Sequence, residues 1–195
     1  ANCSYPFPNA FVSQFFSRVV PDSSVINHFS PEVMTWKLFA LLSGLEGNEA
    51  FSPLQHYLAD DLDDLKRFQL AQKIADTFDQ YTLYRADMLR RWETDGTVKA
   101  AELWQAALWK DLFRSGGGQH RGRLKEQFCH LVEVNSPGHD PFPERISLFG
   151  ISYLPTFHLE VIAAVARVTE VNLFLLSPTR EYWADITSNR AKSGL

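Results

Sequence analysis

The chain has 195 residues, 45% of them hydrophobic, and a formal net charge of −4. That length suits one ordinary domain or two small ones, and the apolar content excludes wholesale disorder. The acidic balance argues against a domain that grips duplex DNA through phosphates alone, which would be basic.

Cys3 and Cys129 are the two cysteines. Without CxxC spacing they cannot make a structural zinc site, and a reduced, cytoplasmic setting is the expectation. No basic stretch leading into an apolar run opens the chain, so no secretory signal is expected. No apolar run approaches membrane-spanning length.

In chain order, the prolines of Ser4-Tyr5-Pro6-Phe7-Pro8-Asn9 extend the start. Asn9 is the expected N-cap of a helix through Phe11, Phe15, Phe16 and Val19, which Pro21 ends. Ser30-Pro31-Glu32 supplies a cap, a proline at the first helical position and an acid in the first turn. That helix should reach Leu42 and stop at Gly44 or Gly47. A shorter helix is expected over Pro53 to Ala59. Asp60, Asp61, Asp63 and Asp64 then sit where a helix N-terminus favours negative charge, which explains them better than metal binding does.

The next helix should run from about Leu62 to Tyr84, followed by helices over Asp87 to Thr94 and Val98 to Arg114. Trp104, Leu108 and Leu112 recur every fourth residue, as a buried stripe does. Gly116-Gly117-Gly118 breaks the pattern before a helix over Arg121 to Val134. Asn135 to Pro143 reads as a loop. Arg145 to Ile151 reads as a strand, Pro155 to Val168 as a helix, and Val171 to Leu176 as a second strand. This spacing predicts a right-handed βαβ unit with parallel strands. Two parallel strands need more sheet around them. The fold expected is therefore α/β but mostly helical, part of a larger protein. Residues 1–143 would form an opening segment and a helical insertion, and residues 144–195 the βαβ part.

Catalytic motifs are missing. There is no GxxxxGK[ST], no HExxH and no GxSxG. The first strand ends in Gly150-Ile151-Ser152, where an ATPase would need a carboxylate for Mg²⁺. His28, His56, His120, His130, His139 and His158 are scattered and read as surface or packing residues.

The most informative stretch is IADTFDQYTLYR, residues 74–85. On a helix, Ile74, Phe78 and Tyr81 fall on one side, and Asp76, Asp79 and Gln80 fall opposite. No lysine within the turn neutralises the acids, and Arg85 closes the segment. Carboxylates accept from base amino groups, amides pair with several bases, and arginine grips guanine or phosphate. His120-Arg121-Gly122-Arg123 adds positive charge. On pattern alone, a solvated polar helix face explains these residues at least as well.

A set of motifs narrows the choice. It comprises Tyr5-Pro6-Phe7-Pro8, Thr35-Trp36-Lys37-Leu38, His56-Tyr57-Leu58 with Asp60-Asp61, and Phe68-Gln69-Leu70. It continues with Asp76, Phe78-Asp79-Gln80-Tyr81, Tyr84-Arg85, Trp92-Glu93, Trp104-Gln105-Ala106 and Phe149-Gly150-Ile151-Ser152 with Leu154-Pro155. Tyr182-Trp183 and Asp185-Ile186 complete it. Together they resemble the N-terminal portion of the RecC family, the gamma chain of exodeoxyribonuclease V in the RecBCD complex.

The resemblance implies part of a superfamily 1 helicase-like core, carrying a large helical insertion and stripped of its ATPase residues. It implies a non-catalytic scaffold that contacts the 3′ single strand and helps recognise Chi during double-strand break repair. RecB-like and RecD-like subunits would be partners, and ATP and Mg²⁺ would act through other subunits. The positions it implies for reading Chi are Phe7, Ser13, Asp76, Thr77, Asp79, Gln80, Arg85 and Arg121. Ser13 stands where the best-known members have tryptophan, which removes a stacking surface. Thr77 stands where they have leucine, and Phe7 replaces another apolar residue. An AddB-type active helicase–nuclease subunit and a purely structural packing region are the alternative readings.

Overall fold

The computed structural model describes residues 3–21, 23, 28–94, 96–115, 119–135, 142–151 and 153–176. The expectations for Gly116 to Gly118, for most of the 135–143 loop, for His139 and Ser152, and for Tyr182 to Ile186 lie outside them. The described chain is mostly helical, with one small parallel sheet.

Helix α1 spans Pro8–Val19. Its cap differs from expectation. Phe7 takes the N-cap position in extended backbone, and Pro8 is the first helical residue. The fixed φ of proline sets the start one residue early, so Asn9 falls inside the first turn and its side chain is released for another contact. Helix α2, Pro31–Leu41, starts as its sequence dictates: Ser30 Oγ accepts from the Val33 amide at 3.4 Å. The Gly44 amide donates to the Leu41 carbonyl at 3.1 Å and closes the turn after α2. Helix α3 covers Ser52–Leu58.

Helix α4, Leu65–Tyr84, is the longest element described. The acidic run in front of it satisfies amides that have no partner within the helix. Asp61 accepts from the Lys66 and Arg67 amides at 3.1 and 2.9 Å, and Asp63 from the Leu65 amide at 3.3 Å. Asp64 enters the helix in left-handed backbone with φ of 62°, so α4 begins after Asp64 rather than at Leu62. Helices α5, Ala86–Glu93, and α6, Leu103–Ser115, follow. Val98 and Lys99 stay outside α6, which is preceded by a single 3₁₀ turn at Ala100–Glu102. Helix α7 spans Arg121–Asn135.

Strands β1, Arg145–Phe149, and β2, Glu170–Phe174, pair in parallel, with helix α8, Thr156–Val165, between them. Register runs from Arg145 opposite Glu170 to Phe149 opposite Phe174. The expected strand–helix–strand unit is therefore present, with each element shorter at its ends.

Apolar side chains form two clusters. The larger joins α2 to α6 around Met34, Leu38, Ile74, Phe78, Trp92 and Trp109. The other joins α1, α7, α8 and β1 around Phe16, Phe128, Phe157 and Val161. Helix α4 serves both, because Leu83 packs on the second cluster while Phe78 is buried in the first.

Candidate nucleic-acid interface

Helix α4 is anchored by the side expected. Ile74 and Phe78 are buried, and Tyr81 packs on the same core with its hydroxyl donating to Gln105 Oε1 at 3.0 Å. The other side is less uniform than the sequence pattern suggests. Asp76 and Gln80 are exposed, and so is Arg85 just past the helix end. Among the described residues these three side chains have no hydrogen-bond or ion-pair partner. Thr77 turns its hydroxyl back onto the Lys73 carbonyl at 2.8 Å. Asp79 faces α7 and is ion-paired with Arg121.

Arg121 opens α7 beneath α1 and α8. It lines a small cavity of about 30 Å³ with Asn9, Val12, Ser13, Phe16 and Phe157, enough room for water but not for a base. Ser13 is exposed at this cavity. Burial lowers the pKa of the Arg121 guanidinium, which nonetheless remains a cation paired to Asp79. The structure thus brings Ser13, Asp79 and Arg121 to one junction, with Asp76, Thr77 and Gln80 on neighbouring turns of α4. Phe7, 85% exposed, caps α1, and Arg85 follows the C-terminal end of α4; both lie outside the cavity.

Two supports for this junction carry no sequence motif. The first is Asn9, whose Oδ1 lies 2.9 Å from His158 Nε2. His158 is buried, and its Nδ1 has no partner. Burial lowers its pKa, and the charge of Arg121 lowers it further. The neutral ring therefore donates from Nε2 to Asn9 and pins the first turn of α1 to α8.

The second support holds the start of α7. Glu93 is buried and meets His120 Nε2 at 2.9 Å, Trp109 Nε1 at 3.0 Å and Arg123 Nε at 3.0 Å. The Gly122 amide donates to His120 Nδ1 at 3.1 Å, which leaves the ring proton on Nε2, facing Glu93. Burial would raise the Glu93 pKa. Bonds from His120 and Trp109, with the charge of Arg123, outweigh it and hold the carboxyl below its usual range. His120 is thus a packing histidine with a fixed tautomer, and its ring contacts Phe29, Trp109 and Phe113.

At the far end of α4, the phenols of Tyr84 and Tyr153 interact, and this contact is the first cause of a raised Tyr84 pKa. Among the described residues no group of three or more His, Cys, Asp or Glu is placed to hold a metal ion. The described end of β1, Phe149-Gly150-Ile151, carries no carboxylate. No described helix is long and apolar enough to cross a membrane.

Fold and surface together define a helix-rich α/β chain that displays unpaired polar groups along one firmly packed helix. A family model described as RecC, N-terminal domain, matches residues 1–195, and the chain belongs to that family. It is similar to the RecBCD enzyme subunit RecC of Escherichia coli, 40% identical over 95% of this chain and 17% of the relative. To the subunit of the same name from Haemophilus influenzae it is 31% identical, over 97% of this chain and 19% of the relative. The Mycolicibacterium smegmatis subunit is 26% identical over 83% of this chain and 15% of the relative. The chain thus spans less than a fifth of the length of these curated relatives.

Proposed function

We propose that this chain is a non-catalytic DNA-recognition and scaffold portion of a RecBCD-type helicase–nuclease. It contacts the 3′ single strand and takes part in recognising Chi during double-strand break repair, in the cytoplasm. RecB-like and RecD-like subunits are its partners, and ATP and Mg²⁺ act through other subunits. The βαβ unit belongs to a superfamily 1 helicase-like core without ATPase residues. The division at residue 143 stays part of this reading, with α1 and α7 packing on the βαβ side.

The observation that carries it is the pair of exposed, unpartnered acceptors Asp76 and Gln80 on a packed helix of a RecC-family chain. Guanine offers N1–H and N2–H₂ on its pairing edge, and a carboxylate can receive both. A good bidentate contact gives about 1–3 kcal/mol of base discrimination. The rigid backbone under these groups keeps the ordering entropy of binding small. Asp79 reaches a base with the acceptor capacity that Arg121 leaves free, and Arg85 serves phosphate or guanine.

The test uses the full-length subunit assembled with its partners, carrying Asp76→Ala or Arg85→Ala. The expected outcome is loss of nuclease attenuation at the cognate Chi site while unwinding continues. Wild-type attenuation in both variants would sink the proposal. A second reading, helix packing only, has one observation in its favour for two of the residues: Asp79 and Arg121 are already bound to each other.

A further inference from the structure

Asp76, Gln80 and Tyr84 stand at i, i+4 and i+8 on α4, so they form one row along the helix. All three are exposed. The row ends at the last helical residue, Tyr84, which is 45% exposed, and Arg85 follows with its guanidinium free. Tyr153, in the segment between β1 and α8, is 72% exposed, and its phenol meets that of Tyr84. Neither ring stacks on another aromatic among the described residues.

Tyr81 shows what an absorbed tyrosine looks like in this fold. It sits in the core against Phe78 and Trp92, with its hydroxyl on Gln105. Tyr84 and Tyr153 do the reverse. Their hydroxyls engage each other, and much of each ring stays in water, an arrangement that leaves apolar area for a ligand to cover. Arg85 beside them complements a phosphodiester, and the acceptors Asp76 and Gln80 complement base edges while repelling phosphate.

We infer that Tyr84 and Tyr153 form a stacking platform for a base of single-stranded nucleic acid, with Arg85 on the adjoining phosphate. The inference rests on the single-strand reading proposed above and extends it. Every base has a π-face, so the platform tolerates any sequence. Its role is register: it holds one base, so that another lies over Gln80 and Asp76 long enough to be read.

The test uses the full-length subunit in its complex and a 3′-ended single strand with 2-aminopurine placed at successive positions. One position is expected to change its fluorescence on binding. Tyr84→Phe should keep that change. Tyr84→Ala with Tyr153→Ala should abolish it and weaken strand binding roughly tenfold. Both rings are at the surface, so the double variant should unfold at the wild-type temperature. Full signal and affinity in the double variant would overturn the platform while leaving Asp76 and Gln80 untouched. Weakened subunit assembly with unchanged strand binding would assign the surface to a protein contact and overturn it as well. A wild-type complex that binds no single strand would remove the underlying reading and the platform with it.

Discussion

Asp79 and Arg121 lie 42 residues apart in sequence and share an ion pair that ties the middle of α4 to the first residue of α7. The Asp79 and Arg121 side chains are 14% and 25% exposed, so water screens the pair only in part. Arg121→Gln removes the charge that compensates the Asp79 carboxylate and should cost about 1–3 kcal/mol in urea unfolding. Asp79→Asn combined with Arg121→Gln should cost less than the two single changes added, because neither charge is then left alone. Additive losses would mean that the pair contributes no coupling.

Gly122 lies where α7 meets α4 and the His120 ring. A Cβ there would stand 3.0 Å from His120 Cε1, 3.1 Å from Nδ1 and 3.5 Å from the Thr82 carbonyl oxygen. The ring cannot retreat, because Phe29, Trp109 and Phe113 surround it. Gly122→Ala is expected to destabilise by about 1–3 kcal/mol, seen as a lower thermal midpoint.

Glu93 makes stability depend on acid. Its folded pKa lies below the ordinary 4.5, so it contributes stability that is complete above that value and fades as pH falls through the lower folded one. Glu93→Gln removes this dependence and should cost about 2–3 kcal/mol near neutral pH, since His120, Trp109 and Arg123 lose a charged acceptor. Chemical unfolding at pH 7 and below pH 4.5 checks both parts.

His158 acts in a higher window. Its folded pKa lies below the ordinary 6.5, so the unfolded chain takes up a proton first and stability falls as pH drops below about 6.5. His158→Gln should flatten the stability profile just below that value while keeping a donor for Asn9. An unchanged slope would mean that the buried ring protonates freely in the folded state.

Local chemistry made some of this legible in the sequence. Ser30-Pro31-Glu32 starts a helix because cap, fixed φ and charge act within one turn, and Asp61 and Asp63 cap α4 for the same reason. The βαβ unit follows from two short apolar runs around a helical one. Asn9 misled because the cap rule is equally local, and Pro8 satisfied it first. Its partner His158 is 149 residues away, and no spacing encodes that contact. The polar face of α4 was found, but not its division. Asp79 and Asp76 lie about 60° apart around the helix. That is enough for α7 to claim one and leave the other in water. The buried Glu93 was recognised only as half of a Trp-Glu motif, because its four partners come from α6 and α7.

The service of α4 to both apolar clusters has a consequence for how the molecule comes apart. At 20 residues it is about 30 Å long. Ile74 and Phe78 are locked in one cluster, and Leu83 touches the other. Neither half can open alone without stripping cover from this helix, so the two should melt as one cooperative unit. Amides near Ala75 to Tyr81 should then exchange with deuterium only through global unfolding. The base-facing row would sit on the slowest-opening backbone in the chain, a fixed ruler against which a moving strand is compared.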